Sequence, residues 1–266
     1  MGGSRSSGAL PDEPPLEAWA EPLEAACAAC PRLGVRHVRV LAETASTQDA
    51  AWAACAGRSG WLVLAGRQHA GRGRLGRVWA DTADRGLAMT FVLPAQSIHS
   101  VAVGVAVCLG IRECVPEPER LGLRWPNDVV ERESGRKIAG VLIEVKDGVA
   151  LVGIGINVRQ ADGEFDPALT GRAVSIRQLG SKADRLCVAE RVVAALDGVA
   201  GREQGEIVRA AMAMDTIVGT RRRFVHDGRE VEGDVVSISL DGAIEVAIAG
   251  GGVVKLPAAT TSIVHE

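Results

Sequence analysis

The sequence GRKIAGVLIEVKDGVALVGIGINV, residues 135–158, contains two long apolar segments with one polar dipeptide between them. The first segment covers residues 137–146 and the second covers residues 149–158. Asp147-Gly148, which separates them, is typical of the tight turn in a β-hairpin, because both residue types tolerate a positive φ. We therefore predict two neighbouring antiparallel strands, and the remaining elements are placed outward from them.

Strands and helices alternate around this hairpin. Apolar segments that end at turn residues predict strands at residues 35–43, 61–68, 87–94 and 121–125. Helical spacing of apolar residues predicts helices at 46–57, 97–115, 182–200 and 206–214. Such alternation is typical of an α/β (α+β) domain, which we place at residues 35–215.

Both ends of the chain differ from this central pattern. From about Thr216 onward, short strands alternate with Gly-rich turns, and this pattern predicts a small β-barrel over residues 216–266. Residues 1–34 are predicted to be a poorly ordered extension, because the first 15 or so are polar and Pro-rich. One short helix is expected within this extension, at residues 16–31, ending at Pro31.

Composition limits the possible classes of protein. The chain has 266 residues, of which 47% are hydrophobic and 24% are charged, as in a globular protein with a sizeable core. A formal net charge of -3 gives no reason to expect nucleic acid as the main partner. The sequence contains neither an apolar run of membrane-spanning length nor the apolar core of a secretory signal, so we expect a cytoplasmic location.

The cysteines do not predict a metal centre. Of the six cysteines, only Cys27 and Cys30 have the spacing of a metal-binding or redox pair. A zinc site needs two more ligands, and neither a second CxxC nor an HxxxH follows. We therefore predict buried free thiols and no bound metal.

The most informative motif is QHAGRGRLGRVW, residues 68–79. Its GRGRLG satisfies GxGxxG, but the dinucleotide-binding fingerprint opens directly into a helix, and no helical period follows here. The segment instead places three arginines on a loop that its glycines make flexible. Such a loop can surround an anion with backbone N–H groups and guanidinium groups. A solvated basic loop or an RNA contact would have the same composition.

Two further motifs carry polar groups near strand ends. RWPND, residues 124–128, places an amide and a carboxylate after a strand, where they could bind ribose, phosphate or a Mg²⁺-nucleotide. An ordinary Pro-Asn-Asp turn would look the same. Lys137 begins an apolar strand, where its ammonium group could neutralise a carboxylate or phosphate, or could simply protect a sheet edge.

Two more segments have a structural and a functional interpretation. The glycines of GIGINV, residues 153–158, predict the close approach of a ligand or of another backbone to a buried strand. In TASTQD, residues 44–49, the Ser46-Thr47 pair is first of all a helix N-cap. The same hydroxyl and amide groups could also bind a small polar ligand.

Taken together and in this order, the five segments closely resemble the biotin protein ligase family. The family pattern has an STN-type segment (here STQ), then QxxGRGRxGRxW, KWPND (here RWPND), GRKxAGxLxE and GxGxN. The resemblance extends from about residue 38 to the C-terminus. The family members that the chain resembles are of the short type, which lacks an N-terminal DNA-binding domain. It implies a mixed-sheet catalytic domain of the class II synthetase-like biotin/lipoyl ligase fold, followed by an SH3-like β-barrel.

The resemblance also implies the ligands of individual residues. The biotin-binding residues would be Ser46, Thr47, Gln48, Gln68, Gly71, Arg72, Gly73, Arg74 and Lys137. The ATP-binding residues would be Arg74, Arg77, Trp79, Asn127, Asp128, Lys137 and Asn157. The groups expected to act in catalysis are Lys137, Arg72, Arg74 and Asp128. The chain departs from the family pattern at Gln48, where asparagine is usual, and at Arg124, where lysine is usual.

The reaction implied by this resemblance uses ATP, Mg²⁺ and biotin to form biotinyl-5′-AMP, and then transfers biotin to one lysine of a biotin carboxyl carrier domain. We expect a monomer or a weak homodimer with neither a DNA nor a membrane partner. Two alternatives remain at this point: a lipoate or octanoate ligase, whose acyl-binding motif differs from GRGRLGR, and a non-catalytic biotin-binding protein.

Overall fold

The computed structural model describes residues 12–80, 84–97, 99–239 and 241–264. The larger of its two sheets contains β1 (His37–Thr44), β2 (Trp61–Gln68), β3 (Gly86–Pro94), β4 (Leu121–Arg124), β5 (Asp128–Glu131), β6 (Lys137–Lys146) and β7 (Val149–Asn157). Their order is β1-β2-β3-β7-β6-β5-β4. Only β1 and β2 pair in parallel, and every other neighbouring pair is antiparallel, so the predicted mixed sheet is confirmed.

The β6–β7 hairpin has the predicted turn. Lys146 pairs with Val149, which leaves Asp147 and Gly148 as a two-residue loop. Their φ angles are 47° and 82°, the left-handed values that a tight hairpin of this twist requires. This hairpin lies in the middle of the large sheet, between β3 and β5.

Helices cover both faces of this sheet. They are α1 (Ala20–Ala28), α2 (Thr47–Cys55), α3 (Ser100–Arg112), α4 (Arg185–Ala200) and α5 (Gln204–Met214). Alternate residues of a strand point to opposite faces. Accordingly, Leu62 and Leu64 belong to the main core with α3 and α4, whereas Val63 packs with Ala51 of α2. None of the helices in the described ranges has the length and apolar character needed to cross a bilayer.

The smaller sheet is antiparallel and contains β8 (Arg221–His226), β9 (Arg229–Ile238), β10 (Ile244–Ile248), β11 (Gly252–Leu256) and β12 (Thr261–Ile263), in the order β11-β10-β9-β8-β12. Phe224 is its central buried residue, and Trp125 of the β4–β5 connection packs edge-on against it. The structure therefore confirms a second sheet, which is antiparallel throughout. In the described residues β11 and β12 do not pair with each other, so the structure does not confirm the predicted closed barrel.

The N-terminal segment differs from its prediction. Residues 12–34 contain two short 3-10 helices on either side of α1 rather than one continuous helix. Trp19 and Leu23 are fully buried in the main core. The spacing of Trp19, Leu23 and Cys27 along one helix face is a signal that could have predicted this packing. The first 11 residues, predicted to be disordered, lie outside the described residues.

Candidate active site

A cavity of about 150 Å³ lies where both sheets meet the N-terminus of α2. It brings together most of the residues predicted for the site: Ser46, Thr47, Gln48, Gln68, Arg72, Gly73, Arg74, Arg77, Trp79, Asn127, Asp128 and Lys137. Gly71 and Asn157 do not line it. Arg124, Val141, Leu142 and Ile154 also line the cavity, and Ser262 and Ile263 of β12 close it from the smaller sheet.

Polar groups at the N-terminus of α2 form one side of the cavity. The Ser46 hydroxyl accepts a hydrogen bond from the backbone N–H of Gln48 (3.3 Å), as an N-cap does. The backbone N–H and the hydroxyl of Thr47 both donate to Gln68 Oε1, at 2.8 and 3.1 Å, and Thr90 donates to the Thr47 hydroxyl. These bonds hold the hydroxyl and amide groups in place before any ligand binds.

Gln48 connects α2 to the central hairpin. Its Nε2 donates to the carbonyl oxygens of Leu142 on β6 and Leu151 on β7, at 3.2 and 3.3 Å. A Cβ on Gly153 would lie 3.0 Å from the Gln48 carboxamide carbon, so glycine there leaves room for this side chain. The extra methylene of glutamine, relative to asparagine, is therefore used to reach across the hairpin.

Glycines also make room for Trp79. A Cβ on Gly155 would overlap the indole ring, and a Cβ on Gly140 would lie 2.8 Å from Lys137 Cε and 3.4 Å from the ring. We expected a ligand or another backbone to approach the glycines of β7. The structure places the side chains of Gln48 and Trp79 against these glycines, and Gly153 and Gly155 also line the cavity.

Within the QHAGRGRLGRVW segment, residues 71–79 fold into a short hairpin. The N–H of Trp79 donates to Gly71 O (2.9 Å), and the N–H of Gly73 donates to Arg77 O (2.7 Å). Its tip turns at Leu75, whose φ is 54°. Leu75 is 56% exposed. Solvent therefore surrounds much of the tip, and the predicted loop is a flap beside the cavity.

The two central arginines of this flap point to different partners. Arg72 makes a two-pronged ion pair with Asp49, at 2.6 and 2.8 Å, and this hydrogen bonding raises the pKa of Arg72 and lowers that of Asp49. Arg74 instead reaches the smaller sheet, where its Nη2 donates to Ala258 O and to Thr261 O (3.2 Å). Burial lowers the pKa of Arg74, but an arginine stays protonated at neutral pH.

Lys137 lies at the centre of the charged part of the cavity. Its Nζ is 2.6 Å from Asp128 Oδ1, and Arg124 Nη2 is 3.1 Å from Asp128 Oδ2. Burial alone would raise the pKa of Asp128, but Lys137 and Arg124 outweigh it and hold that pKa below its usual value. Asp128 is therefore ionised at neutral pH and is a weak base. It holds two cations in place, one of them within 5.5 Å of the Trp79 ring centroid.

Asn127 and Asn157 brace the strand that carries Lys137. Asn127 Nδ2 donates to Val141 O, and the Val141 N–H donates back to Asn127 O at 3.0 Å. Asn157 is buried, and its Nδ2 donates to the carbonyl oxygen of Lys137 (3.1 Å). Both amides thus act on the backbone of β6, close to the cavity.

A larger cleft of about 1070 Å³ continues from the cavity between the two sheets. It shares Arg77, Trp79, Asp128 and Lys137 with the cavity, and Asn157 lies on its wall. The cleft also contains five basic residues that were not predicted for the site, Arg132, Arg172, Arg221, Arg222 and Arg223. The RRR run at residues 221–223 was a visible signal of a basic surface. The cleft can therefore attract a polyanion beside the cavity.

Comparison with known proteins gives consistent matches. The family model described as the biotin/lipoate A/B protein ligase family matches residues 39–160. The biotin–[acetyl-CoA-carboxylase] ligase of Mycobacterium tuberculosis is 33% identical over 249 residues, which is 84% of this chain and 90% of that protein. The bifunctional ligase/repressor BirA of Bacillus subtilis is 36% identical over 146 residues, 50% of this chain and 44% of that protein.

Solved structures agree with these matches. The biotin protein ligase from Aquifex aeolicus in complex with biotin and ATP superposes with a TM-score of 0.71 and 25% identity, covering 87% of this chain and 100% of that chain. The biotin protein ligase from Leishmania major in complex with biotinyl-5-AMP has the same fold, with a TM-score of 0.60, 24% identity, and coverage of 84% and 99%.

Proposed function

The chain belongs to the biotin protein ligases of the biotin/lipoate A/B protein ligase family, and from that premise we propose that it is an ATP-dependent biotin protein ligase. It forms biotinyl-5′-AMP from biotin and ATP and transfers biotin to a lysine of a biotin carboxyl carrier domain. The observation that carries this proposal is the cavity itself, which joins fixed amide and hydroxyl groups at one end to Lys137 and Arg124 at the other.

The polar end of the cavity suits the ureido ring of biotin, because that ring has both N–H donors and a carbonyl acceptor. Ser46, Thr47, Gln48 and Gln68 supply hydroxyl and amide groups there. The apolar side chains of Val141, Leu142 and Ile154 line the cavity beside the glycines of β6 and β7. Gly71 leaves room for the carbonyl oxygen of Trp79 within the flap, and Gly73 lets the flap lie close above the bound molecule. The biotin carboxylate then lies near Lys137.

In the first step, a carboxylate oxygen of biotin attacks the α-phosphorus of ATP, and the bond to the pyrophosphate oxygen breaks. Both reactants are anions, so a nearby cation lowers their repulsion and stabilises the charge on the phosphorus. Lys137 is already oriented by Asp128 and needs no rearrangement. Arg72 must first break its ion pair with Asp49 before it can bind either anion. Arg74 uses only Nη2 for its two bonds to carbonyl oxygens, so its other N–H groups can still donate to an anion.

The nucleotide occupies the larger cleft. Arg77, Trp79, Asn127, Asp128 and Asn157 are the residues that we assign to it, together with Arg74 and Lys137. The described residues contain no group of three or more side chains suited to a metal ion. Asp128, the one carboxylate among the described residues that line the cavity, is held by two cations. When bound, Mg²⁺ would be held mainly by the phosphates of ATP and would neutralise part of their charge.

In the second step, the lysine amine of the carrier attacks the acyl carbon of biotinyl-5′-AMP, an amide bond forms, and AMP leaves with the bond electrons. The amine must lose a proton, which passes to solvent, because the lowered pKa of Asp128 makes it an orienting group rather than a strong base. Proximity supplies much of the rate, because the mixed anhydride is already reactive.

The wider setting follows the same premise. We assign residues 35–215 to the catalytic domain and residues 216–266 to an SH3-like domain that covers the cleft, with residues 1–34 as an N-terminal extension. The carrier domain belongs to a biotin-dependent carboxylase. We propose a cytoplasmic enzyme that is a monomer or a weak homodimer and has neither a DNA nor a membrane partner.

A direct test is to incubate the protein with ATP, Mg²⁺, biotin and a purified biotin carboxyl carrier domain, and to weigh the carrier by mass spectrometry. We expect the carrier to gain one biotinyl group, and AMP and pyrophosphate to appear in equal amounts. Parallel reactions with lipoate and octanoate serve as specificity controls. A carrier of unchanged mass, or equal transfer of lipoate, contradicts the proposal.

A further inference from the structure

The flap arginine Arg74 is held by the smaller sheet. Its Nη2 donates to the carbonyl oxygens of Ala258 and Thr261, residues more than 180 positions later in the chain. Guanidinium has five N–H donors in a planar fork, and one nitrogen supplies only two of them. In the hydrogen bonds described for Arg74, Nη2 alone is used, so Nε and Nη1 remain to face an anion in the cavity that Arg74 lines.

The segment that supplies these carbonyls is itself fixed by a histidine. His226, on β8, has its Nδ1 3.0 Å from the Thr261 hydroxyl and 3.1 Å from the Thr260 hydroxyl. Its Nε2 lies 3.4 Å from Asp227 Oδ2, which orients the ring. Thr261 is fully buried and pairs with His226 across the two strands. A chain of contacts thus leads from Asp227 through His226 and Thr261 to Arg74.

We propose that His226 is a positioning residue for Arg74, and that it thereby controls how long the enzyme retains biotinyl-5′-AMP. This inference rests on the proposed function. His226 does not line the cavity and acts only by holding Thr260 and Thr261. Those residues aim the fork of Arg74 at the phosphate of the adenylate.

The exposure of the flap tip explains why a distant histidine matters. Leu75 and Val78 are 56% and 80% exposed, so packing contributes little to holding the tip closed. The bonds from Arg74 connect the tip to Ala258, which is partly buried, and to Thr261, which is fully buried. When the carbonyl oxygens shift, Arg74 loses its fixed direction, and the flap opens more often. Synthesis of the adenylate depends mainly on Lys137 and is affected much less.

The experiment compares His226→Ala and Thr261→Val with the wild-type enzyme in two assays. The first is biotin-dependent pyrophosphate exchange, which reports adenylate synthesis. The second is the rate at which pre-formed, radiolabelled biotinyl-5′-AMP leaves the enzyme after gel filtration. We expect exchange to stay within about threefold and release to become roughly threefold to tenfold faster, the size of one lost hydrogen bond. His226→Asn, whose amide can replace Nδ1, should restore retention.

A double variant separates positioning from a general loss of structure. In the Arg74→Gly background, His226→Ala should add nothing to the release rate, because both changes remove the same contact. His37→Ala is the matched control, since His37 stacks on Trp61 at the far edge of the large sheet. If His226→Ala does not fold, Thr261→Val decides the outcome.

Wild-type retention in a folded His226→Ala or Thr261→Val variant overturns the inference. The inference is also overturned if His226→Ala accelerates adenylate release equally in the wild-type and the Arg74→Gly backgrounds. A wild-type enzyme that forms no biotinyl-5′-AMP at all instead contradicts the proposed function, so that the two failures are distinguishable.

Discussion

At the scale of single residues, the candidate site is a set of cations whose partners decide what each can do. Lys137 and Arg124 share Asp128, Arg72 is paired with Asp49, and Arg74 is bound to backbone carbonyls. Pairing with a buried carboxylate fixes a cation in position, whereas a cation on an exposed carboxylate can exchange its partner at small cost. Lys137 is therefore the group best placed to meet two anions without rearrangement.

Lys137→Ala should reduce biotin-dependent pyrophosphate exchange by about 10²- to 10³-fold, the usual effect of removing one electrostatic contact to a transition state. Arg124 still neutralises Asp128, so the variant should fold. Lys255→Ala is the matched control, because Lys255 is exposed on the smaller sheet and pairs with Asp241. Exchange within threefold of the wild type in a folded Lys137→Ala variant would contradict the role.

Arg74→Gly should release the adenylate. A charge-assisted contact contributes about 1.5–3 kcal/mol, which is roughly ten- to hundredfold in residence time. The free mixed anhydride then acylates exposed lysines, so albumin added to the reaction should become biotinylated. Arg58→Gly, an exposed substitution outside the cavity, is the control. Equal albumin labelling by wild type and variant, with adenylate still formed, would exclude this role for Arg74.

At the scale of elements, the N-terminal segment is part of the core of the large domain. Glu13 makes an ion pair with Arg185 at the start of α4 at 2.6 Å, and side chains of α1 fill the space between α4 and β1. Burial raises the pKa of Glu13, but hydrogen bonds and charge from Arg185, with Arg159, outweigh it, so the pKa is lowered. The N-terminal segment has the composition of a dispensable extension, but its Glu13 forms an ion pair with the buried Arg185.

Glu13→Ala should lower the free energy of unfolding by about 3 kcal/mol at pH 7, because it leaves Arg185 buried without its carboxylate. A lowered folded-state pKa means that this stabilisation is complete above the unfolded value of about 4.3 and is lost as the pH falls through the folded value. Denaturant titrations at pH 7 and below pH 4 measure it, with exposed Glu17→Ala as the control. Equal stability of Glu13→Ala and wild type at pH 7 would show that the pair contributes nothing.

At the scale of the whole molecule, two sheets share one site. Trp125 leaves the large sheet at the β4–β5 connection, donates from Nε1 to Gly242 O (2.8 Å) and packs against Phe224 in the core of the smaller sheet. Trp125 also lines the cavity, as do Asn127 and Asp128, two and three residues further along the chain. One short connection thus anchors the smaller sheet and positions the site.

Trp125→Ala should lower the free energy of unfolding by about 3–5 kcal/mol, as is usual when a large buried aromatic side chain is truncated. The substitution removes packing between the two sheets, so we expect the smaller sheet to unfold before the larger one. We also expect the enzyme to retain the adenylate less well. Hydrogen exchange at β8–β10, followed by mass spectrometry, measures this. Trp52→Ala, a partly buried tryptophan beneath Lys146, is the control. A single transition with unchanged exchange in β8–β10 would contradict the expectation.

The sequence by itself determined the local structure and the composition of the site. The β6–β7 hairpin follows from a dipeptide that tolerates positive φ between two apolar runs, and α2 begins at Thr47 because the Ser46 hydroxyl caps the helix. Most of the motif residues then meet in one cavity, because motifs at strand ends and helix starts meet where those ends converge. The short β5 was missed, since four residues with charges at both ends have little periodicity.

Only the tertiary structure decided which charges pair and what the glycines accommodate. Arg74 binds carbonyls 184 and 187 residues away, and Glu13 finds Arg185 172 residues away. The chain has 30 lysines and arginines and 33 acidic residues, and nothing in their local spacing selects one partner over another. Local structure depends on neighbours along the chain, which the sequence displays. Ion pairs, the burial of Trp19 and the contact of Gly155 with Trp79 depend on distances in space, which exist only once the sheets and helices have packed.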